Sequence, residues 1–390
     1  MERIHMRIAL ILFGPSDSDV MVYKDAGMFL YSLAKYCNWH CTYAYFKTQE
    51  GEFKNSSFSE YVQSVCIGSA DAYREQVPLA KQFIKAHGMD YDVIMFFNYG
   101  STIWRLARLC KQVNPHVVVY SKLDMGLGGF SHFHKQGILS NLKNRFERIK
   151  SQYVDFFTVE TKAFYEALKE NVVFRNHIGD LPNGVSLLDV DLDIENRYQK
   201  KENIILTVGR LGTYQKYNEL LVDAIQYIPL QVLDDWKIYF VGPSTEEFEA
   251  YVNAFKSHHP EYADAIVMIG NVSDRTQLYE LYRRAKIICM TSRYEGFCIA
   301  VLEAMYFGAC PVITNYGPNA VDVTDHQRIG CIIEDSTAQS VAENLITVMK
   351  HELLITKCAA CEDYARSHFS YEVLARQLDS YLKRFAEKDT

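Results

Sequence analysis

Short apolar runs alternate with amphipathic stretches along the whole chain. Arg7–Phe13, Cys41–Phe46, Tyr91–Phe97, His116–Ser121 and Val154–Val159 predict strands, and helical spacing fills 24–37, 75–88, 101–112 and 136–151. The strands are almost wholly apolar, as expected when helices cover both faces of a parallel sheet. The pattern restarts near residue 203. Asn203–Val208, Trp236–Val241, Ala265–Ile269, Lys286–Met290, Cys310–Ile313 and Gly330–Ile333 read as strands, with helices near 216–228, 244–257, 274–284, 298–307 and 336–350. Between the halves, Ser186–Glu202 is charged and aperiodic and reads as a linker. The expected architecture is α/β: two doubly wound, Rossmann-like domains, 1–190 and 191–370, with an interdomain cleft. Ser370 is placed to cap a last helix, Tyr371 to about Glu387, within a segment 371–390. Its apolar positions Val373, Leu374, Leu378, Leu382 and Phe385 need a partner, and packing back on the first domain supplies one.

Length and composition narrow the function classes. The 390 residues are too many for one ordinary core. With 41 Lys and Arg against 48 Asp and Glu, the net charge of −7 provides no excess to neutralise a phosphate backbone, so nucleic acid is not expected as a partner. No apolar run reaches the length of a membrane span. The stretch Ile8–Phe13 near the N-terminus is too short for a signal-peptide core and has no small-residue cleavage site after it. The ten cysteines show no paired spacing of a secreted scaffold, which points to a cytoplasmic protein. Cys358 and Cys361 form a C-x-x-C, but no second Cys or His pair nearby completes a metal site.

The densest chemical signal runs from Thr291 to Met305. Here Gly296, Phe297, Cys298 and Ile299 open a helix directly after a strand, which leaves free backbone N–H groups and a positive helix end for a phosphate. Glu303 then sits between Val301-Leu302 and Ala304-Met305, where a buried carboxylate needs a polar partner, an Arg or Lys ion pair being the plain reading. Glu295 lies eight residues earlier. At ~1.5 Å per residue the two are about 12 Å apart, too far for an acid/base pair on one bond but suited to opposite ends of an extended ligand. Arg210 and Lys216, in Val208-Gly209-Arg210-Leu211-Gly212-Thr213-Tyr214-Gln215-Lys216, follow the first strand of the second half, at the sheet edge where such folds bind ligands. Two cations there suit a diphosphate, although a solvated loop pair would look the same.

In this order, these segments resemble the retaining glycosyltransferase family 4, of GT-B fold. Gly308-Ala309-Cys310-Pro311-Val312-Ile313, Gly317 and Leu181-Pro182-Asn183-Gly184-Val185 also match. The resemblance implies a hexosyl or N-acetylhexosaminyl transferase using a nucleotide-diphospho-sugar, UDP ahead of GDP, as substrate. Its acceptor would be a saccharide or lipid-linked saccharide, and the setting surface polysaccharide biosynthesis. It places Arg210 and Lys216 on the diphosphate, Glu303 on the ribose, and Glu295 with the amides of Phe297, Cys298 and Ile299 on the donor sugar and distal phosphate. Asn271 falls beside the base, and Gly14, in Phe13-Gly14-Pro15, against the donor phosphates, although a plain turn reads equally well there. With charge supplied by protein, neither a metal nor a cofactor is called for. Catalysis would rest on Glu295, Lys216, Arg210 and an acceptor-side group.

The sequence departs from the family in three places. Where relatives carry a His after a strand of the first domain, this chain reads Ser121-Lys122-Leu123-Asp124-Met125-Gly126, so Asp124 or Lys122 takes that space, and His132 and His134 read as loop residues. Tyr217 and Cys298 stand where glycine is frequent. Asp17-Ser18-Asp19 and Asp189-Val190-Asp191 are D-x-D patterns without the context a metal-dependent transferase needs. Residues 134–150 carry Lys135, Lys143, Arg145, Arg148 and Lys150 beside Ile138, Leu139, Leu142, Phe146 and Ile149. That stretch reads either as a helix packed on the sheet or as a peripheral contact with an anionic membrane. A non-catalytic GT-B partner protein and a sugar-nucleotide 2-epimerase stay open as alternatives. Glu303→Ala and Lys216→Ala are each expected to abolish transfer with the fold intact.

Overall fold

The computed structural model describes residues 5–49, 56–124, 138–192 and 201–387. It divides into two compact units, residues 1–188 with 370–390, and residues 189–369.

The first unit holds a parallel sheet of seven strands: β1 Arg7–Ile11, β2 His40–Lys47, β3 Val62–Ser69, β4 Val93–Phe97, β5 Val118–Leu123, β6 Phe156–Val159 and β7 Ile178–Asp180, in the order β3-β2-β1-β4-β5-β6-β7. Successive strand residues bury on opposite faces because side chains alternate. Ile8, Leu10, Val93, Met95 and Tyr120 join one core with the helix Asp25–Cys37. Ala9, Ile11, Ile94, Phe96 and Val119 join the other with helices Tyr73–His87 and Ser101–Val113. β3, β7 and the short helix Lys162–Leu168 are additions to the sequence reading.

The last helix, Tyr371–Ala386, belongs to this unit. Ser370 Oγ accepts from Val373 N at 3.4 Å, and Leu374, Leu378, Leu382 and Phe385 lie in the core shared with Phe29 and Leu33. Trp39 Nε1 donates to Asp379 Oδ1 at 2.6 Å. Val373 is the exception to the expected stripe: it is 39% exposed, and Tyr371 and Ala375 are buried instead. With 3.6 residues per turn, position 373 points away from the face formed by 371, 374, 375 and 378.

The second unit repeats the grammar with six parallel strands, β8 Glu202–Val208, β9 Lys237–Val241, β10 Ile266–Gly270, β11 Ala285–Met290, β12 Cys310–Thr314 and β13 Cys331–Ile333, ordered β10-β9-β8-β11-β12-β13. In both sheets the strand order reverses beside the first strand, between β1 and β4 and between β8 and β11. The loops leaving those strands diverge at that point and open a crevice at the carboxyl edge.

Candidate functional site

In the second unit the loops after β8 and β11 lie side by side and are bonded to each other. Arg293 N donates to Gln215 O at 2.8 Å, and Arg293 Nη1 to Tyr214 O at 2.7 Å. The Arg293 guanidinium stacks on Tyr217, 3.4 Å from the ring centroid. Tyr217 has φ +45°, the left-handed region that explains why glycine is frequent there, and its ring contact offsets that strain. The chain after β9 braces the same loop: a side chain at Gly242 would lie 1.9 Å from Gly209 O, so only glycine fits.

Lys216 and Glu295 meet at the centre. Nζ lies 2.7 Å from Oε1, with side chains 12% and 8% exposed. Ser292 Oγ donates to Oε1 at 2.5 Å, and Gln215 Nε2 to Oε2 at 3.3 Å. Burial alone would lower the Lys216 pKa, but the Glu295 carboxylate beside it raises it above the ordinary value. Gln215, to which the sequence reading assigned no role, also accepts from Arg210 Nη2 at 2.9 Å and so links Arg210 to Glu295. Because Lys216 and Glu295 neutralise each other, the positive field toward solvent comes from exposed Arg210 and the helix end.

That helix is Ile299–Tyr306, with Cys298 at its N-cap and no side-chain cap. Among the described residues the N–H groups of Phe297, Cys298 and Ile299 make no hydrogen bond. Burial pushes the Cys298 thiol up to about 12, so it stays protonated and adds no anion beneath them. Gly296 precedes this turn, and Asn271 is exposed just beyond β10.

Glu303 is buried, and its partners are two tyrosines: Tyr279 OH donates to Oε1 at 2.8 Å and Tyr282 OH to Oε2 at 3.1 Å. Arg275 lies one step out, Nη2 donating to Tyr279 OH at 2.6 Å. The plain alternative of a direct Arg or Lys pair is thus not what holds this carboxylate; two hydroxyls do. Burial raises the Glu303 pKa, and Arg275 and the two hydroxyls offset this in part. Each carboxylate oxygen accepts one hydroxyl and keeps a lone pair for another donor.

In the first unit, Gly14 has φ +90° and its N–H donates to Gln76 Oε1 at 2.8 Å, while buried Gln76 returns Nε2 to Gly14 O at 3.2 Å. Lys122 is fully buried between Asp25 Oδ2 at 3.3 Å and Glu160 Oε1 at 3.4 Å, which commits it to ion pairs. Asp124, directly after β5, is exposed. Asp17 is occupied by Thr48, whose N–H donates to Oδ2 at 2.6 Å, and the side chain of Asp19 lies outside the described residues. His132 and His134 also lie outside them. Cys358 and Cys361 donate to Lys286 O and Ile329 O at 3.5 and 2.9 Å.

Residues 191–368 match the family model described as "Glycosyl transferases group 1". An uncharacterized glycosyltransferase of Haemophilus influenzae is 30% identical over 171 residues, 44% of this chain and 45% of that protein. A Campylobacter jejuni protein is 25% identical over 182 residues, 45% and 48% of the two lengths; its name describes an N-acetyl-D-galactosaminyltransferase acting on an undecaprenol-diphosphate-linked saccharide. The chain therefore spans about half the length of these curated relatives. An Anabaena protein, HepE, crystallised with UDP and glucose, shares the fold at a TM-score of 0.63 and 14% identity, over 97% of this chain and 100% of that one.

Proposed function

We propose that the chain, whose residues 191–368 match the group 1 glycosyltransferase model, is a retaining transferase of family 4. It moves a hexosyl or N-acetylhexosaminyl unit from a nucleotide-diphospho-sugar, UDP ahead of GDP, to a saccharide or lipid-linked saccharide in surface polysaccharide biosynthesis. The observation that carries this reading is the Lys216–Glu295 pair beside an open helix end at the β8/β11 crevice. The UDP held by the Anabaena protein and the lipid-linked substrate in the Campylobacter name support it.

Negative charge develops on the diphosphate as the glycosidic bond breaks, and the preorganised donors are aimed there. Arg210, the amides of Phe297, Cys298 and Ile299, and Lys216, released from Glu295, receive that charge. Glu295, freed in the same exchange, accepts from donor-sugar hydroxyls, and Glu303 offers its remaining lone pairs to the ribose. Asn271 lies by the base and Gly14 by the phosphates. The acceptor hydroxyl attacks from the leaving-group face, with a donor phosphate oxygen as base and Asp124 on the acceptor side. A thermal-shift series with UDP, GDP and ADP tests this. At about 100 times the dissociation constant, a bound nucleotide adds ~2.7 kcal/mol, several degrees. A shift with one nucleotide is expected. No shift with any of them would leave a non-catalytic partner as the better reading.

A peripheral position on the cytoplasmic face of the membrane fits the helix Ile138–Ser151. Phe146 and Ile149 are 64% and 61% exposed, beside exposed Arg145 and Lys150. The side chains of Leu139, Leu142 and Lys143 lie outside the described residues. Among the described residues no helix is long and apolar enough to cross a membrane. Burying two such side chains is worth about 1.5–3 kcal/mol each at full burial. Co-sedimentation with phosphatidylglycerol-containing vesicles is therefore expected to weaken at least tenfold in a Phe146→Ala/Ile149→Ala variant. Equal binding to neutral and anionic vesicles by the unaltered protein would refute the contact.

A further inference from the structure

The backbone that carries Lys216 is gripped from one side by two residues of the loop after β11. Arg293 Nη1 donates to Tyr214 O at 2.7 Å and Arg293 N to Gln215 O at 2.8 Å. The single proton of Thr291 Oγ1 is shared between Tyr217 O at 2.9 Å and Lys216 O at 3.4 Å. Four consecutive carbonyls, from Tyr214 to Tyr217, are thus taken up by Thr291 and Arg293. Thr291 is buried and is fixed by its packing. Arg293 is exposed, so only what it touches can hold it. Its guanidinium lies 4.3 Å from the ring centroid of Tyr214 and 3.4 Å from that of Tyr217.

The residue after Lys216 needs that contact. Tyr217 has φ +45° and ψ +48°, a left-handed conformation that a residue with a side chain keeps only where its surroundings impose it. The local hydrogen bonds impose part of it, since the N–H groups of Lys216 and Tyr217 both donate to Thr213 O, at 3.0 and 3.1 Å. The ring is held by the guanidinium stacked on its face. A planar, weakly hydrated cation does this better than an ammonium. Without the stack, Tyr217 would relax toward an ordinary turn. That movement would carry the Lys216 backbone with it and shift Nζ from its place 2.7 Å from Glu295 Oε1.

We propose that Arg293 is a positioning residue for Lys216. By stacking on Tyr217 and bonding the Tyr214 and Gln215 carbonyls, it holds the strained turn from which the Lys216 ammonium meets Glu295 and then the leaving group. Its flat face and its donors do this, not its charge. Glycine at position 217 would make the stack unnecessary, because glycine takes a positive φ without strain. The effect on rate rests on the transferase reading above, whereas the effect on the loop rests on the geometry of this unit alone.

The test measures three things on the whole chain and its variants: nucleotide release from UDP-glucose, UDP-N-acetylglucosamine and GDP-mannose, binding of UDP and GDP, and amide hydrogen exchange at Lys216 and Tyr217. Arg293→Ala is expected to lower kcat at least tenfold, since a misplacement of about 1 Å is enough for roughly 100-fold. Nucleotide affinity should stay within threefold of wild type, and the two amides should exchange at least tenfold faster. Arg293→Lys keeps the charge without the flat face and should behave like Arg293→Ala. Tyr217→Gly should turn over within threefold of wild type, and the double variant Arg293→Ala/Tyr217→Gly should regain most of the lost rate. A role in stability alone, or as a charge, would give no such rescue. Three results would each overturn the proposal: wild-type kcat in Arg293→Ala, a lost rate that glycine does not restore, or a tenfold fall in nucleotide affinity, which would make Arg293 a direct ligand. If the unaltered protein neither binds a nucleotide nor releases one, the transferase reading fails first. The exchange rates then still decide whether Arg293 holds the loop: faster exchange in Arg293→Ala supports it, and unchanged exchange overturns it.

Discussion

Lys216→Ala is expected to lower sugar transfer about 10²- to 10³-fold, with most of the loss in kcat. Removing one preorganised donor to developing charge costs about 2.7–4 kcal/mol in comparable sites. The geometry adds a second cost. In the free protein Lys216 is the sole cationic partner that Glu295 has among the described residues. Without it, a carboxylate that is 8% exposed keeps only Ser292 and Gln215 as donors. Two neutral hydrogen bonds hold it in place but do not replace the charge, so a loss of about 1–3 kcal/mol in stability is expected as well. Lys216→Arg separates the effects: it keeps the ion pair, and with it the melting temperature, but a planar guanidinium cannot deliver the same point charge to the phosphate. Steady-state rates beside melting curves for both variants check this. Turnover within threefold of wild type in Lys216→Ala would remove the residue from the catalytic site.

What could be read from the chain alone follows from how far each signal reaches. β8, β11 and β12 are buried on both faces, so they are continuous apolar runs and stand out. β3 at the sheet edge buries only Val62 and so has no such run, and β7 has three residues. Charged residues in apolar surroundings, such as Glu303, are visible because they break a pattern. Their partners are not visible: Tyr279 and Tyr282 look like core residues of their helix, and only the packed helix shows both hydroxyls reaching one carboxylate. The crevice of the first unit depends on β1 and β4 being neighbours, a pairing between Ile8 and Val93 that no local spacing announces.

Glu303 shows why that clamp matters, and its variants should separate stability from chemistry. Glu303→Ala leaves Tyr282 OH, which is fully buried, without its carboxylate acceptor, and opens a cavity in an apolar helix. Together these cost about 3–5 kcal/mol, roughly 6–20 °C in melting temperature for a domain of this size. An intact fold is therefore not expected for this variant, and its lost activity would say little by itself. Glu303→Gln keeps the shape and one acceptor oxygen, so its fold should hold while transfer falls about 100-fold, because half of the acceptor capacity offered to the ribose is gone. The two proteins should also differ in pH response. Burial raises the carboxyl pKa in the folded state above its unfolded value. Its contribution to stability is then fully present below the unfolded pKa and is lost as pH rises through the folded one. Glutamine does not titrate, so the melting temperature of Glu303→Gln relative to wild type should climb from acid toward neutral pH and then level off. A gap that stays flat with pH would mean the carboxylate is not desolvated as its surroundings imply. Wild-type turnover in Glu303→Gln would instead take the ribose role away from it. If the gap climbs while turnover falls, the second unit keeps a destabilising anion in its core for the sake of a ligand.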